Sequence, residues 1–207
     1  MTDLKELLKS NFSYPEFRGS QAEVLELLWK GESHLALMPT GMGKSLCFQF
    51  PAKVREGLVL VISPLIALMQ DQVLKAQGLG ISASSLNSTL TRDERESRQR
   101  RLEEGDFKLF FVTPERFRKA EFLKAIAGRK IQLLAVDEAH CISQWGHDFR
   151  PDYSRLGEFR EMLGNPLTLA LTATATPEVQ QDILKKLNLP NVASLVNYIN
   201  KAEFSIN

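Results

Sequence analysis

Two small groups of residues have the types and spacing for phosphate chemistry: Gly41-Met42-Gly43-Lys44-Ser45, and the pair Asp137-Glu138. Glycines at 41 and 43 let the backbone turn tightly enough to aim successive N–H groups at an anion, and a helix beginning just after them adds a favourable dipole. Thr40 and Met42 fill out the turn. Lys44 has the reach for the β- and γ-phosphates of a nucleotide, and the Ser45 hydroxyl suits a place on Mg2+. The strict pattern asks for Gly where this sequence has Met38, so the loop is a variant. Asp137 can hold the same cation, partly through water, and Glu138 can orient or deprotonate an attacking water. An Asp-Glu pair alone is commonplace. Placed directly after an apolar run, with a phosphate loop upstream, it becomes a joint signal for nucleotide hydrolysis.

Directly after the carboxylates the chain reads AHCISQWGHDFRPDY, residues 139–153. Trp145 and Phe149 offer faces on which bases can stack, and Arg150 offers a phosphate or cation–π contact. On residue types alone the plainer reading leads: the rings pack the domain and Arg150 pairs with Asp148 or Asp152. His140 reads as a hydrogen-bonding group near a γ-phosphate rather than a metal ligand, since no His/Cys cluster accompanies it in sequence. The two cysteines, Cys47 and Cys141, lack metal or redox spacing, which points to a reduced compartment. Cys47 reads as a small core residue.

These groups must be positioned by the elements around them. Short apolar runs recur at 35–38, 58–62, 109–112, 131–136 and 167–171, with amphipathic stretches between, which predicts an α/β fold with a mostly parallel sheet flanked by helices. Ser63-Pro64, Thr113-Pro114 and Thr176-Pro177 each pair an N-cap residue with Pro at the first helical position, so three strands should lead straight into helices. Apolar residues at 179, 183 and 187, and at 65, 68, 69 and 73, mark helices lying on the sheet. Residues 91–104 carry five arginines and five acids with signs interspersed, the pattern of a solvated, ion-paired helix rather than a nucleic-acid patch.

With both motifs in place, the chain resembles the first RecA-like lobe of a RecQ-family DNA helicase, a P-loop NTPase lobe. The resemblance covers nearly the whole chain. It rests on MPTGMGKSLCFQFPA, SPLIALMQDQV, FVTPERF, DEAHCISQWGHDFRPDY and LTATAT, and the run after DEAH is far more specific than DEAH itself. The resemblance implies helices on both faces of the sheet, ATP and Mg2+ as cofactors, and catalytic roles for Lys44, Asp137, Glu138 and His140. Near the N-terminus, FSYPEFRGSQ resembles the family's adenine-recognition motif. That implies stacking on Tyr14 and polar contacts from Arg18 and Gln21, whereas residue types alone would leave Tyr14 and Phe17 as packing residues. Ser13 stands where the family usually has Gly. The resemblance also implies that the loop carrying Trp145, Phe149 and Arg150 senses single-stranded DNA, and that Thr172 and Thr174 link DNA to the carboxylates.

Length and charge set the limits. At 207 residues, 43% apolar, the chain suits one compact domain, read as an N-terminal helical segment (1–33) continuous with an ATP-binding lobe (34–207). Lys plus Arg is 26 against 25 acids, so a net charge of +1 gives no bulk attraction for a polyanion, and DNA contact must be local. Single-stranded and partly duplex DNA are the partners the resemblance implies, together with a second RecA-like lobe that this chain lacks. The final stretch through residues 197–207 departs from the family's usual interlobe transition and reads as a strand leading out of the domain. No leader or membrane span is legible, so a cytoplasmic place, nucleoid-associated if the source is bacterial, is expected. The expected activity is ATP-dependent unwinding by a longer protein, with this lobe alone binding nucleotide and hydrolysing it poorly. An RNA-directed ATPase and a non-catalytic nucleotide-sensing module are the alternatives.

Overall fold

The structure is a computed structural model that describes residues 3–189 and the backbone of 195–197. Its centre is a seven-stranded sheet in which every pairing is parallel. The strands are β1 (His34–Leu37), β2 (Leu58–Ile62), β3 (Ala83–Leu86), β4 (Leu109–Val112), β5 (Ile131–Val136), β6 (Thr168–Thr172) and β7 (Leu195–Asn197), in the order β3-β4-β2-β5-β6-β1-β7. The helices are α1 (Leu4–Phe12), α2 (Gln21–Trp29), α3 (Leu46–Val54), α4 (Ile66–Gly78), α5 (Arg92–Glu104), α6 (Ala120–Ala127), α7 (Leu156–Met162) and α8 (Pro177–Lys186).

Strands covered on both faces are apolar at most positions, and the two cores divide them residue by residue. Leu58, Leu60 and Ile62 of β2, with Leu134 and Val136 of β5, face a core completed by α5, α6, α7 and α8. Val59 and Val61, with Leu133 and Ala135, face a second core completed by α1, α2, α3 and α4. The expected fold class and five apolar runs therefore appear as strands, with ends moved by at most one residue. The edge strand β3, sequence ASSL, was not anticipated.

Two of the three expected Ser/Thr-Pro caps precede helical turns directly. Thr176 accepts from Val179 N and Pro177 opens α8, while Pro114 opens a short 3-10 turn, Pro114–Arg118. The third does not. Ser63 continues the β2 ladder through its N–H to Val112 O (3.0 Å), and α4 begins only at Ile66. Ser13 ends α1 in the left-handed region (φ 58°) and donates its N–H to Lys9 O, so serine here adopts the conformation that glycine adopts most readily. Residues 91–104 form the expected solvated helix: Thr91 and Glu94 make a reciprocal capping box, Arg92 pairs with Glu96, and Leu102 is the one buried side chain. Of the C-terminal stretch, residues 198–207 lie outside the described residues. Among the described residues no helix is long and apolar enough to cross a membrane.

Candidate active site

In the sheet order β5, β6 and β1 are neighbours, so the loops leaving their C-terminal ends meet. The phosphate loop follows β1, Asp137-Glu138 follow β5, and Thr172 ends β6. Met38 N donates to Thr172 O (2.9 Å), joining the start of the phosphate loop to the end of β6, and Asp137 N donates to Ile62 O of β2 (2.8 Å).

Gly41 (φ 85°) and Gly43 (φ 73°) hold the loop in the left-handed turns that the sequence pattern required. Among the described residues, the N–H groups of Gly43, Lys44 and Ser45 donate to no backbone carbonyl, and Ser45 lies at the N-terminus of α3. That donor set fits a phosphate. Gln21 fixes the loop from behind: its Nε2 donates to Met42 O (3.1 Å) and Gly43 O (3.0 Å), and its Oε1 accepts from Arg18 N (2.8 Å). A Cβ on Gly43 would displace the Gln21 amide that braces the loop, and the positive φ favours glycine here as well.

Glu138 has φ 49°, ψ 47°, a left-handed backbone that an L-residue adopts at a cost of about 1 to 2 kcal/mol. The twist aims its carboxylate back across the site. Oε1 meets Lys44 Nζ at 3.2 Å and Oε2 stands 3.4 Å from His140 Nδ1. Asp137 is half-buried beside it, its Oδ1 accepting from Glu138 N (3.0 Å). Burial pushes the Asp137 carboxyl up to about 6, with Lys44 pulling it down and Glu138 adding to the rise. An unprotonated carboxylate there is costly without a cation, which suits a metal-holding group. Ser45, at the start of α3, and Asp137, after β5, carry oxygen ligands of the kind Mg2+ takes.

His140 is buried, and its Nδ1 lies 2.9 Å from Thr172 Oγ1. Thr172 Oγ1 donates its own proton to Thr174 O (3.1 Å), so the imidazole supplies the hydrogen from Nδ1 and keeps a lone pair on Nε2. Burial holds the His140 pKa below its usual value. The exposed Thr174 takes part through its carbonyl.

The aromatic loop lies immediately alongside. Trp145 is 79% exposed, which removes the packing role that residue type favoured. Phe149 is half-buried. Arg150 is already engaged, through Asp148 Oδ2 (3.1 and 3.4 Å) and Pro64 O (3.1 Å), tying the loop to the segment before α4. Asp152 pairs instead with Arg118 (2.5 Å). Gly146 is needed because a Cβ would stand 2.6 Å from His140 O. His147, which no sequence signal marked, stacks on His140 with ring centroids 4.5 Å apart.

At the other end of the phosphate loop, Tyr14, Arg18, Gln21, Gly43 and Ser45 line a cleft of about 300 Å³. Tyr14 is 43% exposed and stacks on Phe12, while Phe17 packs edge-on against Phe50. Lys44, Glu138, His140 and Thr172 are thus linked by direct contacts, and the Tyr14 cleft shares Gly43 and Ser45 with the phosphate loop.

The DEAD/DEAH box helicase family model matches residues 18–183. The chain belongs to the DEAD/DEAH box helicase family. Within it the chain matches RecQ helicases: it is 49% identical over 185 residues to ATP-dependent DNA helicase RecQ of Bacillus subtilis, covering 88% of this chain and 31% of that protein. It is 42% identical over 208 residues to the probable ATP-dependent DNA helicase RecS of the same organism, covering 100% of this chain and 41% of that protein. The helicase Lhr of Mycobacterium smegmatis, solved with single-stranded DNA and AMP-PNP, superposes with TM-score 0.70 at 18% identity, over 94% of this chain and 27% of that one, a likeness of fold. The chain thus spans roughly a third of its curated relatives and corresponds to their ATP-binding first lobe.

Proposed function

We propose that this helicase lobe binds ATP and Mg2+ between the phosphate loop and Asp137-Glu138, and that in a two-lobed protein it couples hydrolysis to movement along single-stranded DNA and to duplex unwinding. The observation that carries this reading is Glu138. Its strained backbone places one carboxylate between the phosphate-loop lysine and the histidine that leads to Thr172 and the Trp145 loop.

In this reading the N–H groups of residues 43–45 cradle phosphate, and Lys44 exchanges Glu138 for phosphate oxygens. Glu138, released, orients a water and takes its proton at a carboxylate oxygen. Mg2+, held by Ser45 and Asp137, supplies charge neutralisation on the phosphates. Tyr14 gives the base a stacking face and Arg18 a polar edge, with the N-terminal segment 1–33 acting as part of the lobe. Gln21 positions the phosphate loop, and it reaches the base only by giving up one of its present bonds. Trp145 offers the open stacking face for DNA, supported by Phe149, while Arg150 fixes the loop's base and meets DNA only by leaving Asp148. His140, Thr172 and the Thr174 carbonyl form the hydrogen-bonded link between loop and carboxylates. A second lobe completes the site with groups this chain does not carry, and a cytoplasmic or nucleoid-associated place accords with DNA as substrate.

The test is ATP hydrolysis by this chain joined to a second lobe, measured with single-stranded DNA or RNA. We expect stimulation by DNA, reduced severalfold by Trp145→Ala while nucleotide affinity holds. Stimulation by RNA alone would move the protein to RNA-directed ATPases, and an absence of hydrolysis in any form would make it a nucleotide-sensing module.

A further inference from the structure

Sequence spacing hid one cluster that the fold assembles. A ring nitrogen of His140, the thiol of Cys141 and a carboxylate oxygen of Asp148 all lie within 4.8 Å of one another. His140 and Cys141 are buried and Asp148 is exposed. None of the three is needed for the Mg2+ position, which belongs to the oxygens of Ser45 and Asp137.

The donors are ready in three respects. Hydrogen bonding through Nδ1 to Thr172 leaves His140 Nε2 with a free lone pair and fixes the ring, the arrangement that orients a metal-ligating imidazole. The Cys141 thiol already points at Asp148, with Sγ 3.6 Å from Oδ2. Asp148 spends that same Oδ2 on Arg150, and Oδ1 takes no protein partner among the described residues. Tetrahedral metal–ligand bonds of about 2.0 to 2.3 Å place ligand atoms about 3.5 Å apart, so the trio must close by about 1 Å. The exposed Asp148, on its glycine-bearing loop, is the member free to move. His147 stacks on His140 and is not part of the trio.

We propose that His140, Cys141 and Asp148 form a binding site for a thiophilic divalent cation of the Zn2+ class, which on binding clips the Trp145 loop to the histidine behind Glu138. Cys141 binds as thiolate and its proton leaves to solvent. A thiolate and an imidazole select a soft or borderline cation, whereas Mg2+ stays with oxygen ligands. The site is therefore chemically distinct from the nucleotide metal position and does not depend on the functional reading above.

Cd2+ titrated into the chain without nucleotide should give a sulfur-to-metal charge-transfer band that saturates at one equivalent and persists in excess Mg2+. Cys141→Ser should abolish the band, whereas Cys47→Ser should keep it, because Cys47 is sealed in the core against Met38 Sδ. Asp148→Asn, an exposed substitution with little effect on folding, should weaken binding by roughly tenfold or more. In a Trp29→Phe background the emission of Trp145 should change over the same titration. No band in the parent, a band surviving Cys141→Ser, or parental affinity in Asp148→Asn would each overturn the site.

Discussion

Asp137 is the residue whose environment makes the sharpest demand. Its carboxyl is raised from 3.8 to about 6 mainly by burial, so between those values the native chain holds a proton that the unfolded chain releases. Stability from this group is fully present below 3.8 and is lost as pH rises through about 6, a swing of about 3 kcal/mol. Asp137→Asn removes the swing. Without metal or nucleotide, the variant should match the parent in acid and exceed it by up to about 3 kcal/mol above pH 6. Thermal melts across that range read the difference, and an offset independent of pH would contradict the assigned cause. At this scale the sequence identified the phosphate-loop and carboxylate residues, because their spacing is itself the signal. It did not reveal that Gln21 braces the phosphate loop or that Asp148 meets Cys141 and His140. Those partnerships arise from tertiary closure, and no local period encodes them.

Elements were legible where burial dictates composition. β2 is covered on both faces and reads as an unbroken apolar run, and β5 departs from one only at Gln132 near its start. β3 is an edge strand of Ala, Ser, Ser and Leu, and nothing in that composition announces a strand. Its outward carbonyls are capped by side chains: Gln77 Nε2 donates to Ala83 O (2.9 Å) and Arg98 Nη1 to Ser85 O (2.9 Å). This closes an edge that would otherwise template pairing with another chain. Arg98→Ala should lower stability by about 1 to 3 kcal/mol, the cost of an unsatisfied buried acceptor, and should promote association on heating. Light scattering during a melt checks this, and unchanged scattering and stability would contradict it. The Ser63-Pro64 cap signal misplaced the start of α4 for a related reason. Pro64 O accepts from Arg150, a contact made 86 residues away, and the chain stays extended until Ile66.

For the whole molecule, the decisive arrangement is that β5, β6 and β1 lie side by side, which brings three loops from distant parts of the chain to one edge of the sheet. In the proposed reading the phosphate-holding groups are on that edge, and a second lobe supplies the cation that stabilises charge at the transferring phosphate. The isolated chain should therefore bind ATP yet show little hydrolysis even with single-stranded DNA, and robust unwinding by it alone would contradict the two-lobe account. The most direct test of the central claim, that the Lys44 loop and the carboxylates form the ATP site, is calorimetric titration of ATP with Mg2+ into the parent chain and into Lys44→Ala. Loss of a charge-assisted contact of about 1.5 to 3 kcal/mol predicts affinity weaker by roughly ten- to a hundredfold in the variant. Equal affinity in the two proteins would place the nucleotide elsewhere.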